Sequence, residues 1–232
     1  DGSWPTAFGH PAGVTLDVVL AGRAAGRDVS AWRHSENAAD PLSYLVQQAA
    51  GYSTSAAATG KLIVGLVAAG LDVNDLNGFD AVATLRTYAQ PNGVYGDPAA
   101  PLTLADQAWA MLALAALRAP HNPQAVAELL NRQNATGGWG WAVGQESDPD
   151  STALALQALA AHGVSAQSPE IQIALAYLKT VQGATGAIES WGAPNASSTA
   201  YVLQALVALG RNPLAQDWRV NQRTLLEGLL AL

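Results

Sequence analysis

The sequence contains no cysteine, two lysines, two phenylalanines and one methionine in 232 residues, and only 12% of its residues are charged. Without cysteine there are no disulfides, thiolate metal ligands or cysteine nucleophiles, and the absence fits either the cytosol or the exterior. The lysines, Lys61 and Lys179, stand far apart, and the net charge is −7, so the basic stripe that nucleic acid requires is missing. No apolar run is long enough to cross a bilayer. No leader with a basic start and an apolar stretch is present; the first residues read as part of a repeat unit, so a processed or trimmed start is expected. An extracellular or cell-surface location is the corresponding expectation.

What is present is apolar surface: half of the residues are hydrophobic, enough for one buried core over residues 1–232. Five similar segments recur every 45 or so residues, at Thr15–Gly26, Thr59–Gly70, Asp106–Leu117, Ser151–His162 and Thr199–Gly210. The clearest pair is Ser151-Thr-Ala-Leu-Ala-Leu-Gln-Ala-Leu and Ser198-Thr-Ala-Tyr-Val-Leu-Gln-Ala-Leu, with Asp106-Gln-Ala-Trp-Ala-Met-Leu-Ala-Leu as a third copy. Alanine and leucine on nearly every face suit helices enclosed by other helices. Three copies stop at glycine (Gly26, Gly70, Gly210) and a fourth is followed by Gly163, where a left-handed cap can form.

Between them lie more polar segments, 39–49, 78–90, 123–133, 169–182 and 220–232, expected to be outer helices. Asp40-Pro41, Asn122-Pro123 and Ser168-Pro169 each offer a capping side chain followed by proline at the first helical position. Nothing between these segments alternates with the period of two that a strand needs. The expectation is an all-α ring, an α/α toroid of about five helix hairpins with inner and outer walls. Asp1-Gly-Ser-Trp4 matches the turn Thr136-Gly-Gly-Trp139, so the chain ends are expected to meet in a closed ring or to be the ends of a piece cropped from a longer one.

The outer segments tend to end in glutamine before a glycine and an aromatic: Gln133…Gly137-Gly-Trp139, Gln90…Gly93-Val-Tyr95 and Gln47…Gly51-Tyr52. This resembles the QW motif of the terpenoid cyclase and protein prenyltransferase superfamily, at repeat spacing along the whole chain. Gln182…Gly186-Ala-Ile188 departs from it, with isoleucine in the aromatic place and Trp191 shortly after. The physical role expected of these residues is a staple at the helix ends, glutamine bonding free backbone groups while the ring packs over the turn. That packing role is expected for Trp4 and Trp139, whereas Trp141 and Trp191 are divided between packing and ligand contact.

Asp148-Pro-Asp150-Ser-Thr-Ala153 resembles the Asp-Xaa-Asp-Asp-Thr-Ala motif of squalene-hopene and other class II cyclases, with Ser151 where the last aspartate stands. The resemblance implies that Asp150 is the general acid that protonates an alkene or epoxide. The competing reading is a helix cap supplied by Asp150 or Ser151. Protein prenyltransferases and thioester-bearing toroids need the missing cysteine, which excludes their mechanisms. Cobalamin carriers resemble this ring as well, with an acidic start on inner helices and no chemistry. A hydrolase would need a carboxylate pair among Glu146, Asp148, Asp150 and Glu189, and sequence gives no pair geometry. His10, His34, His121 and His162 are isolated and have no metal-ligand spacing, so each reads as structural or exposed.

The leading expectation from sequence is therefore a non-catalytic ring without cofactor or metal. It would present a rim of Trp139, Trp141, Asp148, Asp150, Glu189 and Trp191 to a hydrophobic or corrinoid-like small ligand, or to an adjacent domain. The alternatives are a class II terpene cyclase using Asp150, with Asp148 beside it, and a purely structural repeat module of a larger surface protein.

Overall fold

The structure is a computed structural model that describes residues 1–6, 9–33, 35–36, 38–120 and 122–232. Every recurrent Ala/Leu segment is a helix: α1 (Pro11–Ala24), α3 (Ala56–Ala68), α5 (Leu104–Ala116), α7 (Pro149–Ala161) and α9 (Ala196–Ala208). The polar segments give α2 (Pro41–Tyr52), α4 (Ala81–Thr87), α6 (Pro123–Asn131), α8 (Pro169–Thr180) and α10 (Leu225–Leu230). The first set packs side by side in chain order to form the inner wall, and each member is backed by the outer helix that follows it. The outer helices are shorter than expected where the chain leaves them early for a turn, most clearly at α4 and α10. Two short ribbons, β1 (Glu189–Ser190) with β2 (Ala193–Pro194) and β3 (Arg219–Val220) with β4 (Arg223–Thr224), were not foreseen; two-residue strands carry no readable alternation.

Small residues set the spacing of the inner wall. A Cβ on Gly60 of α3 would lie 2.5 Å from the Trp109 carbonyl oxygen of α5, so these helices touch backbone to backbone. The starts are capped as the sequence suggests at Asp40, which accepts from the Leu42 and Ser43 amides, and at Asn122, which accepts from Gln124 and Ala125. Ser168 differs: its side chain makes no cap bond, and proline at the next position leaves one amide fewer to satisfy.

The inner helices share one way of ending. Gly26, Gly70, Gly163 and Gly210 follow α1, α3, α7 and α9 at φ of 69°, 85°, 78° and 66°, and at the same place after α5 stands Arg118 at φ 53°. A side chain in the left-handed region costs roughly 1–2 kcal/mol. Part of that gain is offset by glycine's greater freedom in the unfolded chain, so Arg118→Gly is expected to stabilise the protein by about 0.5–1 kcal/mol. Urea unfolding with an unchanged m-value is the measurement.

Candidate functional site

The turns that join outer to inner helices are built on one hydrogen-bond plan. Thr152 of α7 accepts from the Trp139 amide at 2.9 Å, Thr199 of α9 from Ile188 at 2.9 Å, Thr15 of α1 from Trp4 at 2.9 Å, and Gln107 of α5 from Tyr95 at 2.8 Å. The glutamines close the other side. Gln133 donates to the Gly137 and Glu170 carbonyls at 2.7 and 2.8 Å, Gln182 to Gly186 and Trp218 at 2.9 and 3.2 Å, and Gln90 to Gly96 at 3.1 Å. Each of the first two thus ties its own turn to the start of the next outer layer. Ile188 occupies the place of Trp139 and keeps the bond, so the aromatic is dispensable there and Trp191 does not replace it. The Gln47…Tyr52 copy is different: α2 runs through Gly51 to Tyr52, and no such turn forms.

Trp139 belongs wholly to this framework. Its ring is 0% exposed and its indole N–H donates to the Leu129 carbonyl at 2.8 Å, so the residue packs the turn and offers no face to a ligand. Trp141 and Trp191 are open, at 57% and 95% exposure, and Trp191 sits at the tip of the β1–β2 ribbon with φ 57°. Glu189 is exposed and folds its carboxylate over Gly183. The expected rim therefore separates into a buried staple and residues on exposed loops. Of the histidines, His10 caps α1 through Nδ1 and His162 meets the Met111 carbonyl at 2.9 Å, while His34 and His121 lie outside the described residues.

The two aspartates of the acidic motif have different roles. Asp148, rather than Asp150 or Ser151, is the cap of α7: its carboxylate accepts from the Ser151 amide at 2.7 Å, and its backbone pairs with Trp139. Asp150 is left free of that duty. Its Oδ1 is buried and has no hydrogen-bond partner among the described residues. Burial pushes its carboxyl above the ordinary aspartate range; the Ser198 hydroxyl, facing it from α9, pulls the other way, and the negative charge of Asp148 adds to the rise. Ser198 Oγ is likewise buried without a well-aligned partner, so the two groups stand close without a formed bond.

On the same inner wall as Asp150 lies a layer whose charge pair the sequence reading missed. The residue two places after each recurrent threonine or glutamine is Asp17 on α1, Lys61 on α3, Trp109 on α5, Leu154 on α7 and Tyr201 on α9. Lys61 Nζ is 2.7 Å from Asp17 Oδ1 and 5.7 Å from the centre of the Trp109 ring. The Tyr201 phenol is raised by burial and then by the charges of Asp17 and Asp150. Tyr52 is pushed up to about 12 by burial, with Asp17 and Tyr201 adding to it. The signal was available in the repeat register, but aspartate and lysine on an Ala/Leu helix read locally as surface residues.

The same backbone arrangement occurs in solved structures. The ent-copalyl diphosphate synthase from Streptomyces platensis superposes with a TM-score of 0.65 at 17% identity, over 95% of this chain and 44% of that one. The type II terpene cyclase MstE from Scytonema gives 0.57 at 20% identity, over 95% of this chain and 67% of that one. An MstE variant in complex with geranylgeranyl dihydroxybenzoate as substrate gives 0.51 at 17% identity, over 95% and 76%. This is a terpenoid cyclase-like α/α toroid. The toroid spans less than half the length of the copalyl diphosphate synthase, and the identities establish the fold alone. No protein-family model matches the sequence, and no curated protein matches it.

Proposed function

We propose that the toroid is the proton-donating domain of a class II terpene cyclase-like enzyme, with Asp150 as general acid and a polyprenoid as substrate. One observation carries this reading: the carboxyl at the second position of the acidic motif is relieved of capping, half-buried on the inner wall, and held protonated more readily than an ordinary aspartate. A desolvated oxygen without a partner makes the ionised form more costly than at an ordinary aspartate.

In the proposed step the Asp150 O–H bond breaks as a C–H bond forms at a terminal alkene carbon, leaving a tertiary carbocation and an aspartate anion. Internal double bonds attack in turn, a proton leaves the last cation to solvent, and Asp150 regains one from water, so the net reaction is an isomerisation. Asp148 holds the start of α7 and its charge adds to the rise in the Asp150 pKa; it positions the acid and does not itself donate.

A second reading rests on Ser151, which stands where the cyclase motif has its last aspartate: a ring that binds a hydrophobic ligand without turning it over. The two are separated by incubating the purified chain with squalene and with geranylgeraniol in heavy water. Cyclised product carrying one deuterium at the protonated carbon is the expected result. Saturable binding with no cyclised product would leave the binding ring.

A further inference from the structure

The inner wall holds one lysine, and its charge is already used. Lys61 is nearly enclosed, with 14% of its side chain exposed, and its ammonium lies 2.7 Å from the Asp17 carboxylate and over the Trp109 ring. Asp17 itself is 56% exposed, on the inner helix α1, and its negative charge, like that of Asp150 on α7, acts on the Tyr201 phenol of α9. A diphosphate or carboxylate entering there would meet a paired ammonium, an open carboxylate and a second ionisable acid. Shedding water from a multiply charged head without an unpaired cation to receive it is strongly unfavourable.

Resting on the cyclase reading above, we infer that Asp17 and Lys61 are specificity determinants, selecting a polyprenoid with an uncharged head, such as an alcohol, phenol or epoxide, and rejecting a diphosphate. A hydroxyl both donates and accepts, so it can donate a hydrogen bond to Asp17 or accept one from the Lys61 ammonium without disturbing the pair. Trp109 has one face covered by Lys61. It is thereby reserved as the ammonium's resting place rather than as a platform for a cationic intermediate.

The test is binding, read by thermal shift and tryptophan fluorescence, of geranylgeraniol and geranylgeranyl diphosphate to the purified wild type and to Asp17→Asn, Lys61→Met and the double variant. Wild type should prefer the alcohol by at least about tenfold. Asp17→Asn frees the ammonium and should raise diphosphate affinity by at least about tenfold; the double variant should lose that gain. Lys61→Met should keep alcohol binding and exclude the diphosphate still more strongly. Equal binding of the two heads by wild type, or an unchanged preference in Asp17→Asn, overturns the inference. Alcohol binding with the expected preferences but no turnover removes the acid role of Asp150 and leaves head-group selection standing; binding of neither ligand by any variant removes both.

Discussion

Asp150→Asn is expected to abolish proton-initiated cyclisation, by about 10²–10⁴-fold or more, while the fold and substrate binding persist. Asparagine keeps the shape of the side chain and removes the proton that leaves. The stability side of the same experiment has a definite sign. A carboxyl whose folded pKa is raised holds its proton more tightly in the folded chain than in the unfolded one. Its contribution is full below the unfolded value and is lost as pH rises through the folded one. The wild type should therefore lose both turnover and part of its stability as pH climbs past the raised Asp150 pKa. Asp150→Asn should show no such step and should be at least as stable at neutral pH. Thermal denaturation and turnover across pH 3–9, on both proteins, check this together. A variant that melts early at every pH, or a turnover profile indifferent to Asp150, counts against the acid role.

Trp139→Ala carries the largest expected structural effect, a destabilisation of about 3–5 kcal/mol. The ring is fully enclosed and its loss opens a cavity at the junction of α6, α7 and the following turn. It also removes the indole N–H that donates to the Leu129 carbonyl at 2.8 Å, leaving that oxygen only the longer bond from the Arg132 amide at 3.3 Å. Trp191→Ala, by contrast, removes an almost fully exposed ring and should alter stability by no more than about 0.5 kcal/mol. Chemical denaturation of the two variants side by side separates packing from exposure among residues that look alike in sequence. Comparable losses from both would show that Trp139 is not the staple that its geometry indicates.

The contrast between these tryptophans marks how far the sequence reaches. Periodicity, the glycine stops and two of the three proline-marked caps were legible because they act within a few residues of the chain, where φ, side-chain oxygen and apolar spacing decide the outcome. The same locality made the acidic motif visible but not its division of labour. Asp148 and Asp150 differ by two positions, and only the direction in which α7 starts decides which one caps the helix and which one faces inward. Ser168 failed as a cap for the same kind of reason: the residue type was right, and the backbone placed its hydroxyl elsewhere.

The sequence by itself determined an all-α repeat, the stops of its inner helices and an acid at the mouth of α7. Tertiary structure alone decided the chemistry of the inner wall. Asp17, Lys61, Trp109, Asp150 and Tyr201 come from five different helices, and nothing along the chain pairs them. They become a charge pair, an aromatic rest and a desolvated acid only when the inner helices stand side by side and water is withdrawn from between them. Helix formation is governed by neighbours along the chain, whereas the worth of a charge is governed by the dielectric and the partners around it, and folding alone supplies those.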